Sequence, residues 1–185
     1  MPNDEEIYLD IGAYSGDIIL KFINATPNGN YKAIHAFEPN PAILPILKEK
    51  TTWIPNLTVH QLALSNKESS ISFLQENMGS RFATDDEKIN KQTIEIKACT
   101  LDSVIEDATL IKIDVEGFES EVIEGASSLI KKSRPHLVVD TYHHANDALK
   151  IFDTVMSIHN YKYIGWRMTH HFLNTFYFSD TQKLT

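Results

Sequence analysis

The segment IYLDIG, Ile7 to Gly12, is a short apolar run stopped by glycine, too brief for a helix and suited to a buried strand. Ser15 stands where its hydroxyl can cap a following helix, and Ile18, Ile19, Phe22 and Ile23 then recur at helical spacing until Pro27-Asn28-Gly29. A strand that turns tightly through glycine and leaves as a helix commits the chain to an α/β layout. Such a layout needs more strands of the same kind to pair with the first.

The chain supplies them. YKAIHAFE, Tyr31 to Glu38, reads as a second strand, followed by Pro39, Asn40 and Pro41 and an apolar helical segment in which Pro45 must sit in the first turn. LTVHQLAL, Leu57 to Leu64, reads as a third strand. Two strand-like stretches, Ser70 to Gln75 and Thr93 to Cys99, flank a polar loop, Met78 to Asn90, where a simple alternation would have placed a helix, and they predict an inserted hairpin. Leu101 to Glu106 is a short helical candidate, Thr109 to Val115 a strand, and Phe118 to Lys132 an amphipathic helix with cations in its last turn. A strand from Pro135, a helix over Ala145 to His159 and two last strands, Tyr161 to Trp166 and Thr175 to Phe178, complete the pattern. The expectation is one domain over residues 1–185: a mostly parallel sheet with helices on both faces, closed by an antiparallel C-terminal hairpin.

In open sheets of this type the ligand crevice lies outside the carboxyl ends of the strands. Here four of those ends carry Asp10, Glu38, Asp114 and Asp140, so the crevice is acidic and suited to something positively charged. A dinucleotide fingerprint starting at Gly12 would need glycines where Tyr14 and Asp17 stand, and an acid at the helix start repels pyrophosphate. Glu38, at the end of the second strand, is placed to take both hydroxyls of a ribose. An adenosine-containing ligand without phosphates fits both facts.

Charge bounds the partners. Seventeen Lys and Arg against 25 Asp and Glu leave a net charge of −8, which offers no electrostatic footprint for nucleic acid. The apolar runs are too short to span a bilayer. The one cysteine, Cys99, has no internal partner and no charged-then-apolar leader precedes the first strand, so a cytoplasmic protein is expected.

Four stretches resemble the S-adenosylmethionine-dependent methyltransferases of the seven-stranded Rossmann-like class, and within them the FkbM family. They are YLDIGAYSGD at Tyr8 to Asp17, HAFEPNP at His35 to Pro41, CTLDSVI at Cys99 to Ile105 and LIKIDVEGFESEVIEGA at Leu110 to Ala126. The resemblance implies a three-layer sandwich around a seven-stranded sheet and S-adenosyl-L-methionine as cofactor. It implies that Asp10 and the turn Gly12, Ala13, Tyr14 and Gly16 line the methionine end, that Glu38 beside Pro39 binds the ribose, and that adenine lies near Ala63 and Leu64. Asp114 then sits beside the methionine moiety and the acceptor. The strand ending VVDTYHH departs from the glutamate and histidine more usual in similar proteins, with Asp140 and His143 as candidate equivalents. With little chain ahead of the first strand, acceptor recognition is expected from the inserted hairpin and its loop.

The implied chemistry is methyl transfer to a hydroxyl of a small-molecule or saccharide acceptor. It needs alignment, exclusion of water and removal of a proton, for which His143, His144, Asp114 and Asp140 are candidates. Glu116 reads either as a cap for the helix after it or, with Asp114, Asp140 and a histidine, as a ligand of Mg2+; the metal-free reading is preferred. His35 reads as a structural histidine and Cys99 as a small buried residue. Lys112 pairs with a neighbouring carboxylate or lies near the sheet's end. Arg81 is either solvated or an acceptor contact, and Tyr142 or Trp166 a platform for a sugar ring among aromatics otherwise destined for the core. Two other readings stay open: a cofactor-binding partner subunit without catalysis, and a metal-dependent enzyme using the carboxylates alone.

Overall fold

The computed structural model describes residues 4–74, 93–144, 146–169 and 172–181. Among them the chain runs β1 (Ile7–Ile11), α1 (Asp17–Ala25), β2 (Ala33–Phe37), α2 (Leu44–Thr51), β3 (Leu57–His60), β4 (Ala63–Leu64), β5 (Ser69–Leu74) and β6 (Thr93–Cys99). It continues through β7 (Leu110–Ile113), α3 (Glu119–Glu124), α4 (Ser127–Ser133), β8 (His136–Asp140), α5 (Asp147–Ile158), β9 (Tyr163–Thr169) and β10 (Phe172–Ser179). The loop Met78 to Asn90, with Arg81, lies outside the described residues.

Seven of these strands form one sheet in the order β3-β2-β1-β7-β8-β10-β9, and β4-β6-β5 form a second. Neighbours from β3 to β8 are parallel, while β10 runs antiparallel to both β8 and β9. Alternation along each strand sends its side chains to two cores. On one face Tyr8, Ile34 and Ala36 pack against Ile19 and Phe22 of α1 and Leu47 of α2, with the Tyr8 and Phe22 rings stacked at 4.4 Å. On the other, Leu9, Ile11, Ile111, Ile113, Leu137 and Val139 meet Val122 and Ile123 of α3, Leu129 and Ile130 of α4, and Ile151 and Val155 of α5. Each such side chain, fully buried, stabilises the fold by roughly 1.5–3 kcal/mol. The result is a three-layer Rossmann-like sandwich. Among the described residues no helix is long and apolar enough to cross a membrane.

Several local expectations are corrected. Leu57 to Leu64 is not one strand: the chain leaves the main sheet after His60, and Ala63 and Leu64 pair in parallel with Ala98 and Cys99. The hairpin β5–β6 is present and so becomes a three-stranded sheet. Ser15 does not cap α1, because Gly16 occupies the cap position and the Ser15 hydroxyl donates instead to Asp17 Oδ2 at 2.8 Å. Pro45 does sit in the first turn of α2.

The helix expected over Phe118 to Lys132 is broken at Gly125-Ala126. A Cβ on Gly125 would lie 2.1 Å from the Ser65 carbonyl oxygen, so the backbone of the second sheet docks where a side chain would stand. Beyond the break, Asp102 accepts from the N–H groups of Ser128 at 2.9 Å and Leu129 at 2.8 Å and caps α4 from a distant turn. The segment holding Asp102 is itself a single 3-10 turn, Leu101–Ser103, rather than a longer helix. Asp102→Ala is expected to destabilise the fold by about 1 kcal/mol and lower the melting temperature by roughly 2–4 °C. An unchanged thermal melt removes the capping role.

Candidate functional site

The glycine turn after β1 is shaped by backbone contacts. The N–H groups of Gly12 and Ala13 both donate to the Phe37 carbonyl, at 3.1 and 3.0 Å, which ties the turn to the end of β2. Gly12 has φ +80°, and a Cβ there would lie 1.9 Å from the Asp114 carbonyl oxygen. Gly16, φ +83°, lets α1 close on Leu47 and Thr51 of α2. Both glycines are thus needed for close approach of protein to protein, and Gly12 in addition faces a cavity.

That cavity, of about 500 Å³, opens at the carboxyl ends of β1, β2 and β7. Of the expected cofactor contacts, Gly12, Ala13, Tyr14, Glu38, Pro39, Ala63, Leu64 and Asp114 line it, joined by Lys112 and Glu116. Asp10 and Gly16 do not. Asp10 is fully buried, and none of its oxygens accepts a hydrogen bond; its partner is Lys112, whose Nζ lies 3.2 Å from Oδ1. The register of β1 on β7 places the two side by side. Burial raises the Asp10 carboxyl, and the Lys112 charge only partly offsets it.

Glu38, 6% exposed, is held by the turn it faces. Asn40 N–H donates to Oε1 at 2.8 Å and Tyr14 N–H to Oε2 at 3.0 Å. The second contact secures Tyr14 in a left-handed conformation, φ +47°. Burial pushes this carboxyl up against the lowering effect of those N–H groups. Each oxygen keeps further acceptor capacity, the requirement for taking two ribose hydroxyls.

At the other end of the cavity Asp114 collects partners. Oδ1 lies 3.2 Å from His143 Nε2 and accepts from the Tyr142 hydroxyl at 3.3 Å, while Oδ2 is 3.8 Å from Lys112 Nζ. Burial pushes Asp114 up, but the His143 hydrogen bond and the Lys112 charge outweigh it and hold the carboxyl below its ordinary value. His143 is enclosed by carboxylates: Nε2 is also 3.4 Å from Glu119 Oε1, and Nδ1 is 3.4 Å from Glu116 Oε2. Burial lowers its pKa, yet the Asp114 hydrogen bond and the charges of Glu119 and Glu116 prevail and raise it. Asp114, Glu119 and His143 each offer an atom within 4.8 Å of the others, close enough to share an ion.

Glu119 was not singled out by its sequence position. It is 1% exposed and accepts from the N–H groups of Val115 and Gly117, at 3.0 and 3.2 Å, so it holds the IDVEG turn ahead of the helix for which Glu116 is the expected cap. The available signal was an acid on the first residue of α3, from which a side chain reaches back to free amides. Glu116 instead is exposed, with φ +57°.

The remaining candidates lie apart from the cavity lining. Asp140 accepts the Thr175 hydroxyl at 2.6 Å across the β8–β10 pair. The His144 ring packs on Gly117, and the His144 backbone N–H donates to Asp147 Oδ2. His35 Nδ1 lies 3.1 Å from His60 Nε2, consistent with a structural role. Tyr142 is half exposed beside His143, their rings 4.3 Å apart. Trp166 stands exposed on β9, whereas Tyr161 and Phe178 are core; Cys99 is half-buried and unpaired.

The family model for the methyltransferase FkbM domain matches residues 10–164. Methyltransferase FkbM from Methylobacillus flagellatus KT has a similar structure, with a TM-score of 0.76 and 24% identity over 96% of this chain and 44% of that one. This chain therefore spans less than half of that protein's length. Fibrillarin from Aeropyrum pernix, solved with natively bound S-adenosyl-L-methionine, gives 0.56 and 12% over 95% of this chain and 66% of that one. An rRNA methylase from Streptococcus thermophilus gives 0.54 and 13% over 95% and 85%. No curated protein matches the chain. At these identities the structural likeness concerns the fold.

Proposed function

The chain belongs to the FkbM methyltransferase family, and on that premise we propose that it methylates a hydroxyl oxygen of a small-molecule or saccharide acceptor, with S-adenosyl-L-methionine as donor. The observation that carries the reading is the buried Glu38, fixed by two backbone N–H groups at the wall of a cavity bounded by a glycine turn. The residues fit the donor: Glu38 for the ribose, Ala63 and Leu64 for the adenine, and Gly12 to Tyr14 with Asp114 for the amino-acid end. The donor supplies an electrophilic sulfonium methyl group, so the protein has only to align the acceptor, exclude water and receive its proton.

Asp114 is the residue placed to receive it. A hydroxyl becomes strongly acidic as its oxygen gains a methyl group, so a carboxylate held below its ordinary pKa is still basic enough for a proton that leaves late. His143, with both nitrogens facing carboxylates and its pKa raised, holds Asp114 in place instead of acting as the base. Asp140, bound to Thr175, takes no direct part.

The net charge of −8 favours a small acceptor over nucleic acid, although the same fold serves an rRNA methylase. The unpaired Cys99 suits a cytoplasmic setting, and residues 1–185 act as one methyltransferase domain.

Calorimetry with S-adenosylmethionine and S-adenosylhomocysteine tests the reading. Wild type binds both, and Glu38→Ala weakens both by about a hundred- to ten-thousand-fold, as expected for losing two hydrogen bonds to a charged group. Absence of binding in folded wild type overturns the reading.

The Asp114, Glu119 and His143 cluster favours one second reading, a divalent ion that lowers the pKa of the acceptor hydroxyl. We prefer the metal-free version, because Glu119 Oε1, the oxygen that faces His143, already accepts from two N–H groups. EDTA is then expected to leave turnover unchanged. Loss of turnover in EDTA, restored by Mg2+ or Mn2+, selects the metal version.

A further inference from the structure

Lys112 is the one cation among the described residues lining the cavity. It projects from β7, at the centre of the main sheet, between Ile111 and Ile113, which are fully buried on the opposite face. Stability does not call for a charge there, since an apolar pair in place of a buried ion pair is often as stable or more so. Its ammonium has three N–H donors. One goes to the Gly12 carbonyl at 2.8 Å and one faces Asp10 Oδ1 at 3.2 Å. The third has no hydrogen-bond partner among the described residues, since Asp114 Oδ2, at 3.8 Å, is beyond that reach.

The cavity therefore carries at one end a cation with an unused donor and, beside it, the anion Asp114. An α-amino acid presents the complementary pair, carboxylate and ammonium on one carbon. Asp10, Asp114 and Lys112 together leave one negative charge in excess, which matches a ligand whose zwitterion is joined to a sulfonium.

Resting on the donor assigned above, we infer that Lys112 anchors the carboxylate of the donor's amino-acid end, with Asp10 as the buried counter-charge that orients the Lys112 ammonium. Lys112 is then the residue by which the site distinguishes a donor with an intact amino acid from one without.

The test compares S-adenosylmethionine with its decarboxylated form, which keeps the adenosine, the sulfonium and the ammonium. Wild type is expected to prefer the carboxylated ligand by about ten- to a hundred-fold, the scale of one charge-assisted hydrogen bond. Lys112→Met should reduce that preference to within about twofold by weakening only the carboxylated ligand. Because Lys112→Met leaves Asp10 buried and uncompensated, the same comparison is made between Asp10→Asn and Asp10→Asn/Lys112→Met, with circular dichroism confirming the fold. A preference that survives removal of Lys112, or an equal loss for both ligands, overturns the inference and leaves the methyl-donor reading standing. Failure of wild type to bind either ligand overturns both.

Discussion

Asp114→Asn is expected to lower the rate of methyl transfer by about a hundred- to ten-thousand-fold, the range for removing a positioned proton acceptor. The substitution preserves the shape of the side chain and an oxygen for His143 and Tyr142, but removes the charge that receives the proton. Donor affinity should fall far less than the rate, because Glu38 at the opposite end of the cavity is untouched. Measured as single-turnover transfer to an accepted hydroxyl compound, a rate within about threefold of wild type would remove Asp114 from this role. The companion variant His143→Gln separates the two candidates. With Nε2 and Nδ1 both engaged by carboxylates, the imidazole contributes by holding Asp114, so its loss should slow transfer less than loss of Asp114 itself.

Gly12→Ala is expected to be the most damaging single-methyl change near the site. The added carbon would stand 1.9 Å from the Asp114 carbonyl oxygen, and that carbonyl follows directly on β7, which is hydrogen-bonded to β1. Relief requires the two central strands to move apart, or the turn to abandon a φ of +80° and its two bonds to Phe37. Either amounts to overpacking combined with backbone strain, at a cost of about 4 kcal/mol or more. The melting temperature should drop by roughly 8–16 °C or the protein should fail to accumulate folded. Donor binding should be lost with it, since the same turn holds Tyr14 against Glu38. A variant melting within about 3 °C of wild type would show that the turn can relax.

The parts of this architecture that the sequence made legible are those set by local periodicity. The strand at Ile7, the helix carrying Ile19 and Phe22, the strand around Ile111 and Ile113 and the helix over Asp147 to Ile158 each show their burial pattern in the order of their residues. Strand-end carboxylates were legible for the same reason, and Glu38 and Asp114 do meet at one cavity. What escaped was decided by contacts far apart in the chain. Leu57 to His60 alternates, but the alternation lapses at His60-Gln61 and Leu62 to Leu64 is continuously apolar, and whether Ala63 pairs with β2 or with β6 depends on the β5–β6 hairpin that follows. The break at Gly125 is made by Ser65 and Asp102, neither of them nearby in sequence. Asp10 carries the strand-end signature but is fully buried against Lys112 of the neighbouring strand and does not line the cavity. Glu119 looks like any acid at a helix start until its burial is known.

The second sheet gives the cavity a second frame, with its own hydrogen-bonded backbone. The glycine turn, Glu38 and Asp114 are carried by strands hydrogen-bonded to one another, but Ala63 and Leu64 pair with β6 and join the main sheet through the two-residue link from β3, the packing of Leu64 in the core and the contacts of Ser65 and Asn66 with Gly125 and Glu124. The spacing between the wall assigned to adenine and the wall assigned to ribose is therefore a tolerance between two parts rather than a dimension within one. Sequence change in the hairpin can reset that spacing and leave the seven-stranded sheet as it is.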